Sequence, residues 1–316
     1  MSLLTRTAAR IPNRVAHEDA RQGFPALDEA EGTPGGFPGP RRAALFPECA
    51  NPRCTSGRLR LWRRREAPVF EGGWCCSPRC TAALVEAALM REMDARGKMQ
   101  DGYRHRIPLG LAMLQLGWIG PEDLRSALAA QRSAGAGRLG YWLVRQRMAS
   151  EEQVTRALGL QWGCPVLMLD AHHPEGLTTL LPRLFVDAFG VLPLRVAAGR
   201  ILYLGFEDRL DAALALAVER MTGLQVESGL VEESVFRPAH ARMLEAEFPP
   251  AELMEAATIP ALAAALARAV EQNCPLEARM VRVHDCLWLR MWKRPQPGPV
   301  PEPDAIVDLV ASAGAH

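Results

Sequence analysis

Two pairs of cysteines are the residues whose type and spacing most directly allow chemistry. Cys49 and Cys54 form the first pair, and Cys76 and Cys80 lie at the start of a predicted helix in WCCSPRCTAALVEAAL. Four thiolates complete a tetrahedral zinc shell, and a segment of about fifty residues buries too little surface to fold readily without a metal or a disulfide. We therefore predict Zn²⁺ bound by these four cysteines.

The stretch LRLWRRREAPVFEGGW between the two pairs is expected to form a hairpin. With a knuckle before it and a helix after it, the segment resembles a treble-clef zinc finger. Two alternatives stay open at this point. Cys75 is a possible ligand in place of Cys76, and the thiols are a possible metal-free apolar cluster.

Eight arginines stand against one glutamate between residues 41 and 65, with Trp62 among them. Such a face is able to bind nucleic acid, and a zinc-finger nucleic-acid-binding regulator is one alternative function. A net charge of +1 and the lack of a second basic region favour a solvated hairpin or a docking surface for an acidic partner instead. No apolar run is long enough to span a membrane, so we expect no membrane insertion and a cytoplasmic location.

A second pattern is a repeat, PLGLAMLQLGWIGPEDLRSALAAQ at 108–131 and RLGYWLVRQRMASEEQVTRALGLQ at 138–161. Gly117 is placed to end a short helix, and Pro121 is placed to begin a longer one. In the second copy Ser150 and Gln153 form a capping-box pattern. Each copy is therefore predicted to be a short helix, a turn and a longer helix.

The repeat resembles the tandem motif in the N-terminal domain of type II secretion and type IV pilus assembly ATPases, the MshEN type that binds cyclic di-GMP. The resemblance implies a ligand site made by both copies. Its residues are Arg106, Leu109, Gly110, Met113, Gly117, Leu124, Leu128 and Gln131 in the first copy, and Arg138, Leu139, Gly140, Leu143, Val154, Leu158 and Gln161 in the second.

This resemblance implies a role for each polar position. Arg138 is expected to stack on a guanine, the two glycines to admit a phosphate, and the two glutamines to hydrogen-bond the ligand. The first copy has Pro108 where the motif has arginine, and Arg106 is the nearest substitute. In the second copy Arg147 replaces the glycine, so we expect an altered helix stop there. The alternative is that the repeated residues serve packing alone.

The remaining pattern predicts an α+β multidomain chain: a small treble-clef-like zinc module, a helical tandem-motif subdomain and a small α/β subdomain. Leu210, Leu214, Val218 and Met221 fall on one helical face in the α/β part. The predicted boundaries are a disordered leader 1–42, a zinc module 43–96, a helical subdomain 97–164, an α/β subdomain 165–247, a helix plus hairpin appendage 248–294 and a flexible tail 295–316.

We find no G-x-x-x-x-G-K-[ST] sequence and no nucleophile motif, so we expect a protein that is not an enzyme. The predicted function is a non-catalytic regulator or adaptor that binds cyclic di-GMP through the tandem motif and docks to a secretion or pilus system component. The main alternative is a docking scaffold of the same kind without a nucleotide.

Overall fold

The computed structural model describes residues 48–55, 67–94, 106–169 and 176–313, and its architecture is α+β, as predicted. The helices are α1 (Pro78–Asp94), α2 (Leu109–Gln115), α3 (Pro121–Ala134), α4 (Leu139–Arg145), α5 (Glu151–Trp162), α6 (Arg183–Phe189), α7 (Ala212–Thr222), α8 (Glu233–Glu245) and α9 (Ile259–Asn273). The strands are β1 (Val69–Phe70), β2 (Gly73–Trp74), β3 (Val191–Ala197), β4 (Ile201–Phe206), β5 (Gln225–Leu230), β6 (Ala251–Ala256), β7 (Glu277–Val283), β8 (Cys286–Trp292) and β9 (Ile306–Ala313).

The tandem motif forms the two predicted helix pairs, α2–α3 and α4–α5. The short helix of each pair packs chiefly on the long helix of the other pair, so that α2 lies against α5 and α4 lies against α3. Pro121 occupies the first turn of α3, and Ser150 and Gln153 form the capping box of α5 as expected. The core of this helical unit consists of Met113, Ile119, Ala127, Leu143, Val154 and Ala157.

The α/β unit has the strand order β3-β4-β5, with β3 antiparallel and β5 parallel to β4. The predicted hairpin turns at Gly199, and α7 buries Leu214, Val218 and Met221 before ending at Gly223. The strand predicted in CPVLML is reduced to one bridge, between Val166 and Leu230.

A four-stranded sheet at the C-terminal side of the described chain has the order β6-β9-β8-β7. This finding corrects the flexible tail expected at 295–316, because β9 lies inside the sheet and pairs with both β6 and β8. Asp308 interrupts the apolar pattern of β9, yet it is 2% exposed and forms an ion pair with the fully buried Arg290. The indole nitrogen of Trp288 donates a further bond to Asp308.

The described part of the cysteine-rich segment packs on this sheet. Backbone amides of Val69 and Glu71 donate to the carbonyls of Pro275 and Ala278 at the β7 edge. On one face, the sheet shares a core with α1 and α9; on the other face, it packs on the α/β unit. The residues that α1 and α9 contribute to the shared core include Val85, Ala88, Leu89, Leu262, Leu266 and Val270.

Glu92 of α1 joins three of these parts. Its carboxylate is 2% exposed and accepts two bonds from Arg220 of α7, at 2.6 and 3.0 Å. It also accepts from Arg91 and from the backbone amide of Arg282 in β7. Burial raises the pKa of Glu92, but these donors outweigh burial, and the pKa is lowered below its usual 4.5.

We predict that Glu92→Gln lowers the free energy of unfolding by about 2 kcal/mol at pH 7, since charge-assisted hydrogen bonds are lost. A carboxyl with a lowered folded-state pKa stabilises the fold above its unfolded value of 4.5, and this contribution is lost as the pH falls through the folded value. Urea unfolding of the wild type and of Glu92→Gln between pH 3 and 7 measures this contribution. Glu86→Gln, an exposed change on the same helix, is the control. A stability difference between Glu92→Gln and the wild type that is as large at pH 3 as at pH 7 contradicts the prediction.

We also predict that Asp308→Asn costs about 3–5 kcal/mol of unfolding free energy, because it leaves the Arg290 guanidinium buried without its counter-charge. The matched control is Asp304→Asn, which breaks the exposed pair with Arg294 and is expected to cost under about 1 kcal/mol. Denaturant unfolding of both variants measures the difference. Equal costs would show that burial does not set the strength of these pairs.

Candidate functional sites

The first candidate site is the cysteine cluster. The Sγ atoms of Cys49, Cys54, Cys76 and Cys80 all lie within 4.8 Å of one another. The Cys54–Cys76 and Cys76–Cys80 sulfur separations are 3.5 and 3.6 Å. A tetrahedron with metal–sulfur bonds of 2.3 Å has edges of about 3.8 Å, so the thiols have the spacing that a zinc ion requires.

Local structure brings the two pairs together. The turn that carries Cys54 is closed by a hydrogen bond from the backbone amide of Cys54 to the carbonyl of Asn51. The backbone amide of Ala50 donates to the carbonyl of Trp74 in β2. Cys76 and Cys80 flank the start of α1, where the amide of Cys80 bonds to the carbonyl of Ser77. The helix start and the knuckle therefore face each other across β2.

The structure distinguishes Cys76 from its neighbour Cys75. Cys75 is 1% exposed, belongs to the core shared with α9, and lies outside the four-thiol cluster. Burial raises the pKa of Cys75 to about 11. Burial, together with hydrogen bonds from the other thiols, raises the pKa of Cys76 to about 12. Holding the Cys76 thiol as a thiolate requires a nearby cation, and the four-sulfur donor set suits zinc.

The second candidate site is the tandem motif, whose apolar residues mostly pack inside the helical unit. Met113 and Leu143 are fully buried, while Leu128 is half-buried. Val154 also belongs to the core. Four partly buried leucines pack against that core: Leu109, Leu124, Leu139 and Leu158. These side chains hold the two helix pairs together.

The motif glycines lie at close contacts between helices. A Cβ on Gly110 would lie 2.6 Å from the Cδ1 atom of Leu124, and a Cβ on Gly140 would lie 2.6 Å from the Cγ1 atom of Val154. Both are buried. Their surroundings are thus apolar side chains of the motif itself, which is the packing role left open in the sequence.

The two glutamines make equivalent bonds across the copies. Gln131 donates to the carbonyl of Gly137, and Gln161 donates to the carbonyl of Ile107, each at 2.8 Å. Gly137 and Ile107 each lie two residues before the short helix of the other copy. Each glutamine therefore ties its long helix to the entry of the partner helix.

The helix stops of the two copies are also equivalent. Gly117 and Arg147 have φ values of 68° and 57°. Their amides bond to Leu114 and Val144, three residues earlier. The altered stop expected from Arg147 is therefore wrong: the arginine adopts the left-handed conformation for which glycine is favoured.

A cavity of about 1860 Å³ lies between the helical unit, the α/β unit and the C-terminal sheet. Of the predicted ligand residues, Arg106, Arg138 and Gln161 line it, while the two short-helix glycines and Gln131 do not. The Arg106 guanidinium lies 3.3 Å from the ring centroid of Trp162. Arg106 thus reaches the site although Pro108 holds the motif position.

Two carboxylates missed by sequence reasoning complete this part of the cavity. Arg138 forms an ion pair with Asp208 and lies 3.9 Å from Glu207. Both acids follow directly after β4, and their position in FEDRLD after a strand was the available signal. Arg237 also pairs with Glu207 and links it to α8. The site therefore presents hydrogen-bond donors and acceptors together.

Some expectations lie outside the described residues. The leader 1–42 and most of the arginine-rich stretch, with Trp62, belong there, so the nucleic-acid alternative stays a prediction. Within the described ranges, no helix is long and apolar enough to cross a membrane.

Comparison with known proteins gives structural matches alone. No family model and no curated protein matches the chain. The structure of MshE with cdg matches at 24% identity and a TM-score of 0.35, covering 44% of this chain and 99% of that one. Two crystal forms of the XpsE N-terminal domain match at 21% and 22% identity, with TM-scores of 0.29 and 0.26. They cover 44% and 42% of this chain and 93% of each of those chains.

Proposed function

We propose that this chain is a non-catalytic regulatory adaptor that binds cyclic di-GMP in the cavity and docks to a secretion or pilus system component. The observation that carries the proposal is the convergence of Arg106, Arg138 and Gln161 on one cavity opposite Glu207 and Asp208. We further propose that Zn²⁺ is bound by Cys49, Cys54, Cys76 and Cys80 and stabilises the fold.

The mixed charge of the cavity fits guanine better than a simple anion. The O6 and N7 atoms of guanine accept from an arginine fork, and its N1–H and N2 amino groups donate to a carboxylate. The Arg106–Trp162 stack offers a flat surface for a base, and an arginine also pairs with a phosphate. A volume of about 1860 Å³ leaves ample room for a dinucleotide.

One set of contacts favours a ligand-free docking scaffold instead. The bonds of Gln131 and Gln161 across the copies and the tight glycine contacts account for much of the motif by packing. The two functions differ in whether the cavity binds the nucleotide, and a titration separates them.

We predict that calorimetry detects binding of cyclic di-GMP by the full chain and that Arg138→Ala weakens it at least about tenfold, since a charged contact is lost. Asp208→Ala is expected to weaken binding to a similar extent, because it removes the acceptor for the guanine edge. The control is Arg200→Ala, an exposed arginine in the β3–β4 turn away from the cavity. No heat from the wild-type chain, or the same affinity in Arg138→Ala, would favour the ligand-free scaffold.

The zinc assignment makes a separate prediction. Purified protein should hold about one zinc per chain, and Cys76→Ser or Cys80→Ser should lose it. Cys75→Ser should keep the metal, because that thiol lies in the core and not in the cluster. Chelation should increase hydrogen exchange at the amides of Val69 and Glu71, since these amides donate to the carbonyls of Pro275 and Ala278. Metal-free wild-type protein, or metal loss in Cys75→Ser alone, would contradict the assignment.

A further inference from the structure

Three residues of α4 and one just beyond its end form a set that we call the α4 surface: Tyr141, Trp142, Arg145 and, after the helix, Arg147. Tyr141 is 46% exposed, and its ring contacts Trp142 edge to face at a centroid distance of 5.4 Å. The Arg145 guanidinium donates to the Tyr141 hydroxyl at 3.0 Å and lies 5.3 Å from the Trp142 ring centroid. The cluster therefore combines two aromatic rings with an arginine held against them.

Arg147 occupies this surface at a conformational cost. Its φ of 57° is left-handed, whereas the equivalent position of the first copy is Gly117 at 68°. Glycine adopts this conformation without the steric cost that a side chain brings. The side chain of Arg147 is exposed and adds no burial to the core. An arginine kept at a position that suits glycine points to a use for the side chain itself.

Ion pairing differs among the arginines of the helical unit, where Arg106 and Arg132 have no ion-pair partner among the described residues. Arg125, Arg138 and Arg156 each form an ion pair, with Glu122, Asp208 and Glu152 respectively. Arg145 and Arg147, by contrast, form no ion pair with any residue in the described ranges. Arg145 therefore brings an unpaired positive charge to the exposed Tyr141 ring and the half-buried Trp142 ring, and Arg147 adds a second charge two residues further along the chain.

We propose that the α4 surface binds an acidic segment of a partner protein. Carboxylates of the partner pair with Arg145 and Arg147, and an apolar side chain of the same segment packs on Tyr141 and Trp142. Tryptophan, tyrosine and arginine are the residue types that carry most binding energy in protein interfaces. None of these four residues lines the cavity, so the proposal specifies the docking function without resting on nucleotide binding.

A labelled peptide of glutamates with one tryptophan is the probe, titrated into the full chain at low and high salt. Arg145→Ala and Arg147→Gly should each weaken peptide binding about tenfold. Arg147→Gly should also raise the melting temperature by about 2 °C, because strain is relieved. Loss of binding in a more stable variant cannot arise from misfolding.

Arg200→Ala is the matched control, an exposed arginine with no ion pair in the described part of the chain, and it should bind the peptide as the wild type does. Equal weakening by Arg200→Ala, unchanged binding in Arg147→Gly, or tighter binding of polyuridylate than of the peptide at this surface would overturn the proposal. Cyclic di-GMP titrations of the α4 variants should match the wild type. If the wild type binds peptide but no nucleotide, this proposal stands and the nucleotide function fails.

Discussion

The buried carboxylate of Glu92 is the interaction that fixes how the parts of this chain meet. A carboxylate taken out of water is costly unless donors surround it, and Glu92 draws its donors from α1, α7 and β7. The cysteine segment, the α/β unit and the C-terminal sheet must therefore be correctly placed together. Glu92, Arg220 and Arg282 also line the cavity, so the junction that sets these positions forms one wall of the candidate ligand site.

The packing of each short helix on the other copy explains why both copies have the same glycine and glutamine. Each short helix packs on the long helix of the other copy, so neither pair is complete without its twin. The hydrogen bonds from Gln131 to Gly137 and from Gln161 to Ile107 are the polar contacts between the two copies. Packing therefore accounts for the shared spacing of the two copies, and motif residues are informative about a ligand where they reach the cavity.

Local signals predicted the helices well, but buried charges did not follow from them. Capping residues such as Ser150 and the strand turn at Gly199 act within a few positions, so the sequence sufficed. Asp308 and Glu92 resemble surface residues in sequence, because their partners lie far along the chain. The proline-rich stretch KRPQPGPVPEP predicts a tail, and the pairing of β9 with β6 and β8 does not follow from that stretch. Likewise, the choice between Cys75 and Cys76 depends on a core contact that spacing does not reveal.

The pairing of Arg138 with Asp208 restricts which ligands suit the cavity. Under the proposed function, this exposed pair offers a ligand a guanidinium donor and a carboxylate acceptor side by side. A plain phosphate pairs with Arg138 but is repelled by the negative charges of Glu207 and Asp208. A guanine edge carries acceptors and donors side by side, and a nucleotide adds a phosphate for the second arginine, Arg106. Under the proposed function, the same acidic pair that neutralises Arg138 would favour a guanine edge over a simple anion.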